Sequence, residues 1–125
     1  MVSSGVALAA GAPPAAAPPV DVRVLEELVG NDVDAVRELL QDFRVSAARI
    51  AWELKAACEL GQGEQASALA HKLKSSARSV GALALGECCA SIEHAGKGAS
   101  NDVLTTLVSR FETELGLVED FLATL

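Results

Sequence analysis

The sequence predicts an all-α fold, an antiparallel four-helix bundle with a short additional N-terminal helix, and three observations carry that prediction. Along four long stretches the apolar residues recur at alternating spacings of three and four, the period of a helix with one buried face. Ala, Leu and Val dominate while aromatics make up 3% and Tyr is absent, which suits close-packed helices better than sheets built on aromatic and β-branched side chains. Short polar connections separate the stretches, so consecutive helices must turn back on one another. With 125 residues, half of them apolar, one hydrophobic core and one domain are expected.

The first 20 residues hold all four prolines and otherwise mainly Ala, Gly and Ser, a composition that gives an extended linker or arm. Its apolar run, VALAAGAPPAAAPPV, is broken by those prolines and has no basic flank, so neither a membrane span nor a signal peptide is expected. The domain is expected over residues 21–125. Asp21 can cap a short helix to about Val29, with Val24, Leu25 and Leu28 on one face and Gly30-Asn31 as its stop. Asp32 caps a long second helix whose stripe is Val33, Val36, Leu40, Phe43, Ala47, Ile50, Leu54 and Ala57, ending at Gly61-Gln62-Gly63.

A third helix runs from Glu64 to Val80, with Ala66, Leu69, Ala70, Leu73, Ala77 and Val80 inward, and Gly81 ends or bends it. Leu85, Cys88, Cys89 and Ile92 mark a fourth that stops near Gly96-Lys97-Gly98. Ser100 or Asn101 caps a fifth, with Leu104, Leu107, Val108, Phe111, Leu115, Val118, Leu122 and Leu125 on its stripe.

A formal charge of −7 argues against nucleic acid or an anionic membrane surface as the main partner, because both need a basic footprint. The three cysteines, Cys58, Cys88 and Cys89, have neither a disulfide framework nor a C-x-x-C spacing; small core residues in a reducing cytoplasm are expected. Against this acidic background, residues 65–86 carry Lys72, Lys74 and Arg78 and no acid. Removing those three bases from the total of ten leaves seven against seventeen acids, or −10, so the segment is a basic island suited to an anion.

In that island the inner stripe of Leu69, Ala70, Leu73 and Ala77 puts His71 on the opposite side, facing solvent, with Ser67, Lys74, Ser75 and Arg78 at offsets of three, four and seven. Neighbouring cations favour a neutral, nucleophilic imidazole. Lys74, one turn on, is placed to offset charge on a phosphoryl group at the ring, the main service a protein gives to phosphoryl transfer. Ser75 and Ser76 are small enough to let a partner approach closely.

The segment AHKLKSSARSVGA resembles the histidine-containing phosphotransfer family, whose pattern is His, one residue, Leu-Lys, small residues, then Gly-Ala. His71, Leu73, Lys74, Ser76, Gly81 and Ala82 match it. Leu85, Cys88 and Ile92-Glu93 echo the family's next positions, a Leu, a Cys and a Leu-Glu pair, while VLEELVGND and LLQDF resemble its first helix and turn and its second helix. One departure is Ser75, where the family usually has Gly; the added Cβ and hydroxyl are expected to be tolerated. The resemblance implies that the distal nitrogen of His71 takes a phosphoryl group from the aspartate of a receiver domain and passes it to a second receiver. It implies that the receivers belong to response regulators or a hybrid histidine kinase, that Mg²⁺ comes from the receiver, and that this domain needs no cofactor or nucleotide of its own.

Further expectations concern the surface. Ser67, Lys72 and Arg78 are candidates to face a docked receiver, although Arg78 reads more readily as an ordinary solvated charge. Trp52 lies off the main stripe of the second helix; packing against the bundle's flank is expected, the alternative being an exposed docking patch. His94 near the end of the fourth helix reads as ordinary, and no recurring ligand spacing supports a metal site. No glycine-rich nucleotide loop follows a strand, so no autokinase activity is expected. A monomer is expected, cytoplasmic and not inserted in a membrane, suited to the C-terminal end of a membrane-bound sensor kinase. The competing functions are a protein-interaction bundle in which His71 no longer carries phosphate and, less well supported, a Cys/His metal or redox site.

Overall fold

The structure is a computed structural model that describes residues 18–125. Five helices follow one another with no strand among the described residues: α1 (Val22–Val29), α2 (Val33–Glu59), α3 (Gly63–Ser79), α4 (Leu83–Ala95) and α5 (Asn101–Ala123). Most of the segment read as a linker lies outside the described residues. Its last residue, Val20, is 1% exposed, so the folded region reaches back at least that far.

Local chemistry sets the boundaries. Asp21 accepts from the Arg23 N–H at the start of α1, Asp32 accepts from those of Asp34 and Ala35 at the start of α2, and Ser100 rather than Asn101 caps α5 by accepting from Val103. Each cap satisfies a donor that has no partner within its helix and contributes about 1 kcal/mol. The N–H donors of the first turns of α3 and α4 receive no such side-chain cap. Gly81, between α3 and α4, has φ +86°, in the left-handed region that glycine tolerates best.

The long helices close a ring in which α3 packs on α2 and α4, and α5 on α4 and α2, while α1 lies against α2. Loops of a few residues force neighbours to run antiparallel, which is the geometry of an up-down bundle. Leu40, Phe43, Ile50 and Leu54 of α2 meet Ala70 and Leu73 of α3, Leu85 and Ile92 of α4, and Leu104, Phe111, Val118 and Leu122 of α5 in one core. Three stripe positions are corrected: Leu28, Val33 and Leu125 are exposed. Val33 and Leu125 sit at helix ends, where the period continues past the last core layer. No described helix is long and apolar enough to cross a membrane.

Candidate functional site

His71 stands midway along α3, and its side chain is 63% exposed because the core stripe of Ala66, Ala70, Leu73 and Ala77 runs along the other face of the helix. Its ring does not stand alone among cations as the sequence suggested. The nearest charge is a carboxylate from α4: Glu93 Oε2 lies 2.7 Å from His71 Nδ1, and Glu93 Oε1 accepts from Lys74 Nζ at 2.6 Å. One carboxylate therefore joins the imidazole and the ammonium, and both Glu93 and Lys74 are largely sheltered from solvent.

The Lys74 ammonium holds the Glu93 carboxyl below the usual carboxylate range, with partial burial opposing and the His71 contact assisting. Glu93 is thus ionised near neutral pH, and an ionised carboxylate only accepts. It follows that Nδ1 carries the ring proton and donates it to Glu93, leaving the lone pair on Nε2, at the far side of the ring. The sign of the pH dependence follows from the lowered value: the contribution of this pairing is present above the ordinary carboxylate range and is lost as pH falls through the Glu93 value.

The basic island exists only in the linear sequence. Glu93 neutralises Lys74, and Glu87, also from α4, lies 3.4 Å from Arg78 Nη2, which favours the ordinary structural reading of Arg78. Lys72 is exposed and makes no ion pair among the described residues. Ser75 is exposed one turn beyond His71.

Helix spacing alone predicts Ser67 on the surface beside His71, open to a partner. It is instead 6% exposed, and its Oγ donates to the Glu93 main-chain oxygen at 2.7 Å. It falls between the core stripe and the exposed face, where α4 covers it. Trp52 is corrected in the other direction: it is 75% exposed and does not pack into the flank. Three residues further along α2, Lys55 reaches Glu112 of α5, whereas His71 leans toward α4. The structure therefore brings His71, Lys74 and Glu93 together, and Trp52 is exposed on a separate helix.

Between α3 and α4 an open groove of about 540 Å³, lined by Glu64, Ser67, Ala68, His71, Glu93 and Lys97, runs up to the imidazole. No group of three or more His, Cys, Asp or Glu side chains among the described residues is placed to hold a metal ion. Cys58 and Cys89 are buried and Cys88 partly so, and burial pushes the Cys89 thiol up to about 12, as befits a small core residue. The residue that local sequence reasoning missed is Glu93. It lies 22 positions from His71, and its only signal was the Leu-Glu echo of the family pattern.

The Hpt domain family model matches residues 38–121, a span that includes all of α3 and α4 and hence His71, Lys74 and Glu93. Among solved structures the chain is similar to histidine-containing phosphotransfer protein B (HptB) from Pseudomonas aeruginosa PAO1. The two share 25% identity with a TM-score of 0.78, over 86% of this chain and 94% of the other. No curated protein matches. A family match over well more than half of the sequence, on a bundle that presents an exposed histidine midway along its third helix, leads to one assignment: the chain belongs to the Hpt domain family and serves in phosphorelay signalling.

Proposed function

We propose that His71 is the phosphoacceptor and that Nε2 is the reacting atom. The contact between Nδ1 and Glu93 carries the proposal, because it fixes the tautomer and aims the free lone pair outward. The Nε2 lone pair attacks the phosphorus of a receiver's aspartyl phosphate, the bond from phosphorus to the aspartate oxygen breaks, and the carboxylate leaves with that electron pair. The ring then carries positive charge, which Glu93 offsets through the proton retained on Nδ1. Transfer to a second receiver reverses these steps. The receivers, belonging to response regulators or to a hybrid histidine kinase, supply Mg²⁺ as electrostatic support for the phosphoryl oxygens.

Lys74 acts here mainly through Glu93, a refinement of the direct contact to phosphate expected from helix spacing. Transfer from a panel of phosphorylated receivers tests the proposal: the label should appear on this chain, labile to acid and stable to base. Label elsewhere than on a histidine, or no label on the chain, would refute it. Replacing Glu93 with Gln keeps the size of the side chain but removes the charge, and we expect phosphoryl uptake to slow by about tenfold to a hundredfold. Stopped-flow transfer rates check this, and a rate within twofold of the native chain would remove Glu93 from the chemistry.

Trp52 provides a complementary result. It is exposed on α2, while the groups joined to the ring come from α3 and α4, so a receiver centred on those two helices leaves it uncovered. Trp52→Ala should leave the uptake rate and the receiver affinity within about twofold, because an exposed side chain outside an interface contributes little. A loss of receiver affinity at titration would place Trp52 in the interface after all.

A further inference from the structure

The last turn of α4 holds a main-chain oxygen that its own helix does not satisfy. In a continuous helix the Glu93 carbonyl would accept from the Lys97 N–H, but that N–H turns to the His94 oxygen at 3.4 Å, and the Gly98 N–H to the Ala95 oxygen at 3.2 Å. The Glu93 oxygen takes its hydrogen bond from Ser67 Oγ on α3 instead. Ser67 is buried, one helical turn before His71, and nearly enclosed against the α4 terminus.

The two helices are pressed together at this point. A Cβ on Gly63 would lie 2.7 Å from the Gly96 oxygen, and one on Gly96 would lie 2.9 Å from Ser67 Cβ. Backbone thus meets backbone at the beginning of α3 and the end of α4, and the hydroxyl of Ser67 sets the axial register between them. The residue whose carbonyl it holds is the residue whose carboxylate holds the imidazole.

We propose that Ser67 is a positioning residue for phosphotransfer: by anchoring the Glu93 main chain across the α3–α4 contact, it keeps the Glu93 carboxylate on His71 Nδ1 and reserves Nε2 for the phosphoryl group. This rests on His71 being the phosphoacceptor. Without the hydroxyl, the Glu93 carbonyl must find water, and the last turn of α4, which runs into Gly96-Lys97-Gly98, loosens. The carboxylate then leaves the ring for part of the time, and protons distribute over both nitrogens.

Ser67→Ala keeps the helix and the small volume. In ¹⁵N-imidazole NMR spectra the native His71 should show predominantly the Nδ1–H tautomer, and Ser67→Ala should shift it toward the Nε2–H form, with phosphoryl uptake slowed about five- to twentyfold. Val118→Ala, a cavity in α5 away from the ring, controls for general loss of stability: it should lower the melting temperature while leaving the tautomer and the uptake rate unchanged. A Ser67→Ala protein with native tautomer ratio and an uptake rate within twofold would overturn the proposal, as would equal rate losses in both variants with no tautomer shift. If the native chain takes no label on His71, the phosphoacceptor assignment fails, whereas the tautomer spectra still decide whether Ser67 governs the ring.

Discussion

Replacing His71 with Gln should abolish phosphoryl uptake altogether, a loss of at least about a hundredfold and limited only by detection, because an amide nitrogen has no lone pair free to attack phosphorus. The fold should survive. His71 is mostly exposed, its neighbours in the core stripe are untouched, and Glu93 keeps Lys74 as its partner, so the stability change should stay within about 0.5 kcal/mol. Far-ultraviolet dichroism and a melting curve establish that the variant is native, and acid-labile label from a phosphorylated receiver then gives the result. His94 is the one other histidine in the sequence and provides the contrast: His94→Gln should take up label at the native rate. Label persisting on His71→Gln and vanishing from His94→Gln would move the acceptor to the end of α4. A native chain that binds a receiver without accepting phosphate would favour the interaction-module reading, and Ser75→Gly would be the first change to make.

The largest stability effect expected from a single methyl group is at Gly81. Its φ of +86° costs an alanine about 1–2 kcal/mol, and its missing Cβ is the space occupied by the Asp21 carbonyl oxygen. The same contact carries a hydrogen bond from the Asp21 N–H to the Gly81 oxygen at 2.8 Å, next to the buried Val20. Gly81→Ala must therefore push the start of α1 away from the α3–α4 turn, and we expect a total loss of about 2–4 kcal/mol. For a domain of this size that lowers the melting temperature by roughly 10 °C or more.

Gly30 separates the two causes, because it also has a positive φ, +78°, but nothing lies within 4 Å of the position a Cβ would take. Gly30→Ala should cost about 1 kcal/mol from backbone conformation alone. Equal losses in the two variants, measured by urea unfolding, would show that the contact with Asp21 adds nothing. The Gly-Ala pair that carries part of the family resemblance thus has a packing role: Gly81 admits the N-terminal segment, and Ala82 is fully buried behind it.

Much of this molecule is set by short-range rules. The helix stripes, the Asp21 and Asp32 caps and the turns after α1, α2 and α3 depend on residues within a few positions of one another, and so does the exposure of His71, which a core stripe one residue out of phase requires. The densest part of the family resemblance is likewise a contiguous segment, from His71 to Ala82. These features were determined by the sequence by itself.

Long-range juxtaposition decided the rest. Charge counting along α3 indicates a basic island, but the helix facing it supplies Glu87 and Glu93, and only the register of α4 against α3 brings those carboxylates to Arg78, Lys74 and the His71 ring. Ser67 and Trp52 depart from their predicted exposure for the same reason. A helical wheel fixes a side chain's direction around its own axis, whereas burial depends on whether another helix occupies that direction; α4 covers Ser67, and nothing in the bundle covers Trp52. Sequence periodicity therefore determined which histidine faces outward, and tertiary packing alone decided which of its nitrogens is held and which is free, because the hydrogen bond that makes the choice comes from a residue 22 positions away.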